Sequence, residues 1–388
     1  MNKIPSIKKT HKANRIIYNP TSHQKDKYNQ IRKEIEKKYS IKLNSRNIII
    51  RNLISTLTHN DFKNYKIPKI NFFIIRTDIK NFFPSINKHK LYKKLNNSSV
   101  LSNESMNTIK EMIFSPKIKG LPIGLPFSNV LAELYLEDFD LDILLSFNPN
   151  FYFRYVDDII FLDFTLLSRV NLKKLNENLE KNLSSIFSKH KLNSNSKKTN
   201  IKIYDSETDT EPPFEFDYLG YNFLIKNHTL NIRISNSKYQ KILNKIYKCF
   251  RIYSKSHKQK RDFWLLYYRI MNILYGITSK NSKNKKIRFG LGFNYNCIND
   301  PLQIELLIEH IKKLTFIHKL TSKQRFKIFL LIHFEKEENS LSLLKKRMDY
   351  TRLTTNQLKK IFSQLNIPYS KVDKVNIEVL FDHIYKDF

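Results

Sequence analysis

Acidic residues are scarce in this chain of 388 residues: 35 Asp plus Glu stand against 69 Lys plus Arg, a formal net charge of +34. A Lys- and Ile-rich composition follows from AT-rich coding, but that bias raises Glu as well as Lys, and here only the bases are raised. A field of this sign attracts polyanions, and neutralising phosphates releases counterions whatever the base sequence. Nucleic acid is therefore the expected partner. Cysteine is scarcer still. Cys249 and Cys297 lie far apart and fit no metal-ligand spacing, which excludes a disulfide framework and points to a reducing compartment. No run approaches the roughly 18 apolar residues of a membrane span, and the basic start MNKIPSIKKTHKANR lacks the apolar core of a signal peptide. With no amphipathic anchor or lipidation motif, no membrane partner and a cytoplasmic location are expected.

What is present is a folding composition. A hydrophobic content of 41% with 13% aromatics suits a globular protein, and the length allows one large domain or two to three smaller ones. Lys25–Tyr39 reads as a helix, and the apolar run Asn47–Leu57 is interrupted by Arg51. Phe72-Phe73-Ile74-Ile75-Arg76-Thr77 is β-branched and aromatic and predicts a buried strand ending in Asp78. Phe151–Tyr155 and Ile159–Leu162 predict two more strands joined through Val156-Asp157-Asp158, a β-hairpin with both carboxylates at its tip. Between them, Ser128–Phe139 reads as a helix capped by Ser128. Arg169–His190 reads as another, with Leu172, Leu175, Leu179, Leu183 and Phe187 as its core stripe. The order predicts a small antiparallel sheet covered by helices, an α+β layer.

Further along, 204–215 is an acidic, Pro-containing loop. A strand pair, Phe216–Ile225 and Thr229–Ile234, follows around Asn227 and His228. Tyr239–Tyr253, Arg261–Tyr275 and Pro301–Leu320 read as helices, and 280–297 as a basic connector. Trp264, Tyr267 and Tyr268 lie on one of these helices among lysines, where they either stack on bases or pack the local core.

Asp78 closes one predicted strand, and Asp157 and Asp158 occupy a hairpin turn 79 residues later (157 − 78). Carboxylates gathered on strand ends repel one another and lose solvation. Divalent cations reverse that balance, and Mg²⁺ takes one or two protein carboxylates together with substrate phosphates. Two such ions stabilise the attacking and leaving oxygens of an in-line displacement. A bare DD dipeptide is usually an ordinary turn, but apolar strands on both sides brace this one against a core. Arg46, Arg51 and Arg76 are candidates for a triphosphate, since guanidinium forks bind phosphate bidentately.

TDIKNFFPSI (Thr77–Ile86), GLPIGLPFSNVLAELYL (Gly120–Leu136), YVDD (Tyr155–Asp158), LNSNSKKT (Leu192–Thr199) and YLGY (Tyr218–Tyr221) resemble, in order and spacing, motifs A to E of the reverse transcriptases. The resemblance covers about 150 residues, roughly Phe72 to Phe223. It implies a right-hand polymerase, an α+β fingers and palm with a small antiparallel sheet followed by an all-helical C-terminal region. The implied divisions are 1–70 (N-terminal, fingers), 71–235 (palm) and 236–388 (thumb-like and C-terminal). It implies two Mg²⁺ ions, with Mn²⁺ as substitute, on Asp78 and Asp157. The Ile79 carbonyl would complete a shell, and Asp158 would be a looser ligand or lie near the primer end. Phe83 matches the steric-gate aromatic that leaves no room for a 2′-hydroxyl. Pro122 and Gly124 match the loop at the nucleotide and template, with Ile123 where many relatives carry Gln, which removes a side-chain hydrogen bond. Lys198 matches the lysine that protonates departing pyrophosphate, and Tyr218, Leu219, Gly220 and Tyr221 match the primer grip.

Within the family, no Cys/His nuclease cluster, no VTG signature and no added RNase H cluster is found. The phrases IIRTDIKNFF, LPIGLPFSNVLAELYL and FRYVDDIIF resemble the bacterial abortive-infection and defence-associated enzymes. The implied activity is RNA-directed DNA polymerisation in antiviral defence, with dNTPs, an RNA template or non-coding RNA and a DNA product as partners. A homo-oligomer or partner defence protein would join them. Protein-primed, template-independent synthesis and a catalytically silent RNA-binding scaffold are the alternatives.

Overall fold

The computed structural model describes residues 7–12, 15–116, 118–165, 169–207, 213–280, 286–334, 339–368 and 377–385, without the side chains of 11–12, 165, 169–176 and 377–378. The chain forms two compact units, Met1–Phe62 with Pro68–Glu211, and Lys63–Ile67 with Pro212–Phe388. The division falls in the acidic, Pro-containing stretch read as a loop, of which 208–212 lie outside the described residues.

The first unit opens with the hairpin β1 (Lys8–Lys12) and β2 (Arg15–Asn19), then α1 (Ser22–Lys38) and α2 (Arg46–Leu57). Thr21 and Gln24 form a capping box on α1, and the Ser45 side chain accepts from the Ile48 amide at the start of α2. After β3 (Asn71–Asp78) come α3 (Phe82–Ser85), α4 (Lys88–Ser98), α5 (Asn103–Ile113) and α6 (Ser128–Phe147). The hairpin β4 (Phe151–Tyr155) and β5 (Asp158–Thr165), α7 (Arg169–Lys189) and β6 (Asn200–Tyr204) complete it.

The palm-type sheet has the order β4-β5-β3-β6, antiparallel throughout. Strand β3 has neighbours on both edges, and Phe72 to Ile75 are buried one after another. A strand covered on both faces has no solvent side for a polar residue, which is why its apolar run is unbroken. Val130, Leu131, Leu134, Tyr135, Leu136, Phe139 and Ile143 of α6 are buried in the same core. In α7, Leu179, Leu183 and Phe187 are buried as the spacing predicts; the side chains of Leu172 and Leu175 lie outside the described residues.

The α6 expectation is corrected at both ends. Phe127, not Ser128, is the N-cap, because the Ser128 hydroxyl donates to the Pro122 carbonyl at 2.6 Å. The helix also runs past Phe139 to Phe147, since nothing in DLDILLSF breaks it, and stops where Asn148 turns left-handed at φ 41°.

The second unit begins with a meander of β7 (Phe214–Tyr218), β8 (Tyr221–Lys226) and β9 (Thr229–Ile234). The single strand expected over Phe216–Ile225 is thus two, because Leu219 and Gly220 take φ 45° and 81° and reverse the chain. Asn227 and His228 form the next turn as expected, both with positive φ, the signature of a two-residue hairpin loop. Helices α8 (Asn236–Lys255) and α9 (Lys260–Leu274) follow, then β10 (Gly276–Lys280), β11 (Lys286–Phe289), α10 (Leu291–Asn294), α11 (Leu302–Ile317), α12 (Ser322–Ile332), β12 (Arg347–Asp349), α13 (Thr355–Gln364) and α14 (Ile377–Tyr385). The region is built of helices as expected, with one addition: β11-β10-β12 form a small sheet, β12 parallel to β10. Strands of three to five residues are too short to show a period in sequence. Among the described residues no helix is long and apolar enough to cross a membrane.

Candidate active site

Register brings the three acids together. Asp78, the last residue of β3, lies directly opposite Asp158, the first residue of β5, and Asp157 precedes it in the turn. The Ile79 amide donates to the Asp157 carbonyl at 3.1 Å, which fixes the strand end to the hairpin tip. A second clasp comes from the loop after α7. The Lys80 amide donates to the Asn193 carbonyl and the Asn195 amide to the Asp78 carbonyl, each at 2.8 Å.

The side chains follow. Asp78 is buried and accepts from Asn195 Nδ2 at 3.1 Å and from Lys198 Nζ at 2.6 Å. Arg76 Nε stands 3.5 Å from Asp158 Oδ1. Burial, then the negative charge of Asp78, push the Asp157 carboxyl above the usual carboxylate range. Asp158 is also pushed up, by burial and to a lesser degree by Asp78, while Arg76 and Lys198 oppose the shift. The cluster is thus short of positive charge, and the two cations beside it are side chains.

Among the described residues no group of three or more Asp, Glu, His or Cys is arranged to hold a metal ion by itself. The donor chemistry fits Mg²⁺, which takes few protein carboxylates and completes its shell from phosphates and water: hard oxygens on two paired strand ends, one of which accepts from the Lys198 ammonium.

The hairpin tip is strained and braced. Val156 has φ 61°, a conformation in which a β-branched residue costs about 1–3 kcal/mol. The side chain of Arg154, two residues earlier in the chain, is almost wholly buried. Its Nη1 donates to the Val156 carbonyl at 2.9 Å, its Nε and Nη2 form a fork on Asp140 at 2.9 and 2.7 Å, and Nη2 also reaches Glu133 at 2.7 Å. Burial works against this charge, but the bonds to Asp140 and the charges of Asp140 and Glu133 prevail and raise its pKa. The Tyr152 hydroxyl donates to Asp140 as well.

A cleft of about 580 Å³ opens beside Asp157. Phe82, Phe83 and Pro84 line one side, Leu121 and Ile123 another, and Tyr155 and Val156 the hairpin side. Phe82 is buried, whereas Phe83 is partly exposed to the cleft and packs against it with ring centroids 5.3 Å apart. Two glycines set these walls. A Cβ on Gly120, at φ 58°, would overlap the Phe83 carbonyl, which accepts from the Leu121 amide at 2.8 Å. A Cβ on Gly124, at φ 103°, would meet the Tyr18 carbonyl oxygen at 2.5 Å. The backbone approaching Gly124 is therefore β2, whose Tyr18 amide donates to the Ile123 carbonyl at 2.8 Å.

The cations lining the cleft are Arg15 and Lys119, with Asn81 and Asn129 as neutral polar groups. Neither base stands out in the sequence. Arg15 lies in a basic terminus with no motif, and only the pairing of β2 with the Ile123 loop carries it to the cleft. Arg46 and Arg51 are at the start and on the exposed face of α2 and do not line the cleft. Pro122 is buried, its carbonyl engaged by Ser128, so its neighbours form the wall. In the second unit, Tyr218 and Tyr221 are fully buried, with the Tyr221 hydroxyl on the Asn294 carbonyl at 3.0 Å, while Leu219 and Gly220 form the partly exposed turn between them. Tyr268 is likewise buried and donates to Gln364, and Trp264 lies beneath the Lys327 ammonium at 5.3 Å.

Residues 7–223 match the family model described as reverse transcriptase (RNA-dependent DNA polymerase). With more than half its length so matched, the chain belongs to the reverse transcriptase family, whose members are nucleotidyltransferases. No curated protein sequence matches it. Among solved structures it is similar to apo telomerase from Candida tropicalis truncated from its C-terminal domain, at 16% identity and TM-score 0.40, covering 59% of this chain and 54% of that one. Telomerase from Candida albicans in complex with the TWJ fragment of telomeric RNA gives 12% identity and TM-score 0.40, covering 93% and 57%. The chain spans about half the length of these structures.

Proposed function

We propose that this protein is an RNA-directed DNA polymerase that extends DNA with deoxynucleotides at the Asp78, Asp157 and Asp158 cluster. What supports the reading is the register that sets Asp78 against Asp158, next to Asp157, which lines a cleft bordered by Phe83. Two divalent ions, Mg²⁺ with Mn²⁺ as substitute, would be held by Asp78 and Asp157, and when bound they supply Lewis-acid stabilisation of the attacking 3′-oxygen and the leaving pyrophosphate. Asp158, paired with Arg76, holds the second carboxylate position. Phe83 lies beneath the sugar and excludes a 2′-hydroxyl. Arg15 and Lys119 draw the triphosphate into the cleft, taking the role expected of Arg46 and Arg51. Lys198, whose ammonium donates to Asp78 at 2.6 Å, would supply a proton to the leaving pyrophosphate. The turn at Leu219–Gly220 offers its backbone to the primer strand.

The motif phrasing supports placing the chain with bacterial defence-associated enzymes acting in the cytoplasm. The test is incorporation of labelled dNTPs by nuclease-treated protein, with and without an RNA template and primer. Free labelled DNA that requires added RNA supports the proposal. Label that stays on the polypeptide after phenol extraction, without RNA, replaces it with protein-primed, template-independent synthesis. No incorporation under either condition leaves an RNA-binding scaffold. For the defence role, plaque counts on cells carrying Asp157→Asn must rise to those of cells without the gene.

A further inference from the structure

We infer that Arg154 is a positioning residue that holds the Val156–Asp157 turn in its strained, active shape by tying it to helix α6. The inference rests on the polymerase reading above. Three observations carry it. Arg154 is buried and splits its donors between two destinations: the Val156 carbonyl on the hairpin tip, and Asp140 with Glu133 on α6. The peptide it holds is the one with positive φ at a β-branched residue, which relaxes unless something retains it. Helix α6 itself is a fixed point, with Phe139 and Ile143 wholly buried on either side of Asp140 in sequence. The guanidinium fork thus refers the position of Asp157 to the core and not only to the two-stranded ladder. A lysine keeps the charge but has no planar fork, so it can satisfy the helix or the carbonyl and not both.

The test compares Arg154→Lys in two backgrounds, native and Val156→Gly, since glycine takes positive φ without strain. The expected result is a drop in kcat of roughly ten- to a hundredfold for Arg154→Lys in the native background, with KM for dNTP little changed. The same substitution in the Val156→Gly background is expected to cost much less, because the turn no longer needs restraining. A readout apart from turnover is the rise in thermal midpoint produced by Mg²⁺, which Arg154→Lys is expected to reduce in the native background only. Equal losses in both backgrounds, or no loss in either, overturn the inference. If Arg154→Lys fails to fold, Asp140→Asn, which weakens the same tether from the helix side, is put through the same comparison: a loss confined to the native background supports the tether, and equal losses or none overturn it. Asp157→Asn separates this idea from its premise: synthesis that survives it defeats the polymerase reading, whereas its abolition with Arg154→Lys fully active defeats only the tether.

Discussion

Each of the three acids is held differently, and their expected sensitivities follow from that. Asp78 is buried with two donors on its carboxylate, and Asp157 faces the cleft under the pressure of burial and a neighbouring charge. Asp78→Ala and Asp157→Ala are each expected to lower incorporation by several orders of magnitude, because a lost ligand removes much of the electrostatic stabilisation of the displacement. Chelation by EDTA is expected to do the same and excess Mg²⁺ to reverse it; synthesis that persists in EDTA would refute metal dependence. Phe83→Ala is expected to admit ribonucleotides, measured as the ratio of rNTP to dNTP incorporation. Strict deoxynucleotide choice in that variant would place the gate elsewhere. The acids were legible in sequence because a carboxylate at the end of an apolar run needs a reason to be there. Arg15 and Lys119 were not, because in a chain with 69 bases a single base carries no signal until the backbone brings it to a cleft.

Among the elements, the N-terminal hairpin is the one whose role surprises. Strand β2 bridges Ile17 to Ile123 and lies so close to Gly124 that a methyl group has no space. Gly124→Ala is expected to destabilise the first unit by more than about 1 kcal/mol, through strain at positive φ and collision with Tyr18. Denaturant unfolding measures it, and an unchanged midpoint would show that the hairpin yields. Helix α8 presents the opposite case. Tyr239, Leu243, Ile246, Phe250 and Tyr253 are buried, whereas Lys238, Lys241, Lys245 and Arg251 are exposed, with no acid anywhere in the helix. Lys241→Ala combined with Lys245→Ala is expected to reduce the log–log salt slope of single-stranded RNA binding by about 1.4, two contacts at about 0.7 each. A slope equal to the parent's would remove α8 from the contact surface. Helices could be read from their period and the central strand β3 from its unbroken apolar run. The Leu219–Gly220 reversal could not, because the β-forming residues of FEFDY and YNFLI run on through YLGY and only the backbone angles reveal the turn.

For the whole molecule, the excess of bases is too large to be local. Binding to single-stranded RNA is expected to weaken steeply with salt whatever the RNA sequence, each phosphate neutralised adding about 0.7 to the slope. Titrations at several KCl concentrations measure it, and a flat response would mean that the charge is neutralised within the protein or by other partners.

Taken alone, the amino-acid order determined the family, the α+β palm and the three acids, since each rests on residue type and spacing along a line. Folding decided what lies beside them: which strand end faces Asp158, which bases reach the cleft, why Gly124 must be glycine, and that a buried arginine ties the hairpin to a helix. Those depend on contacts between segments far apart in the chain, and no local pattern encodes a distance across a core.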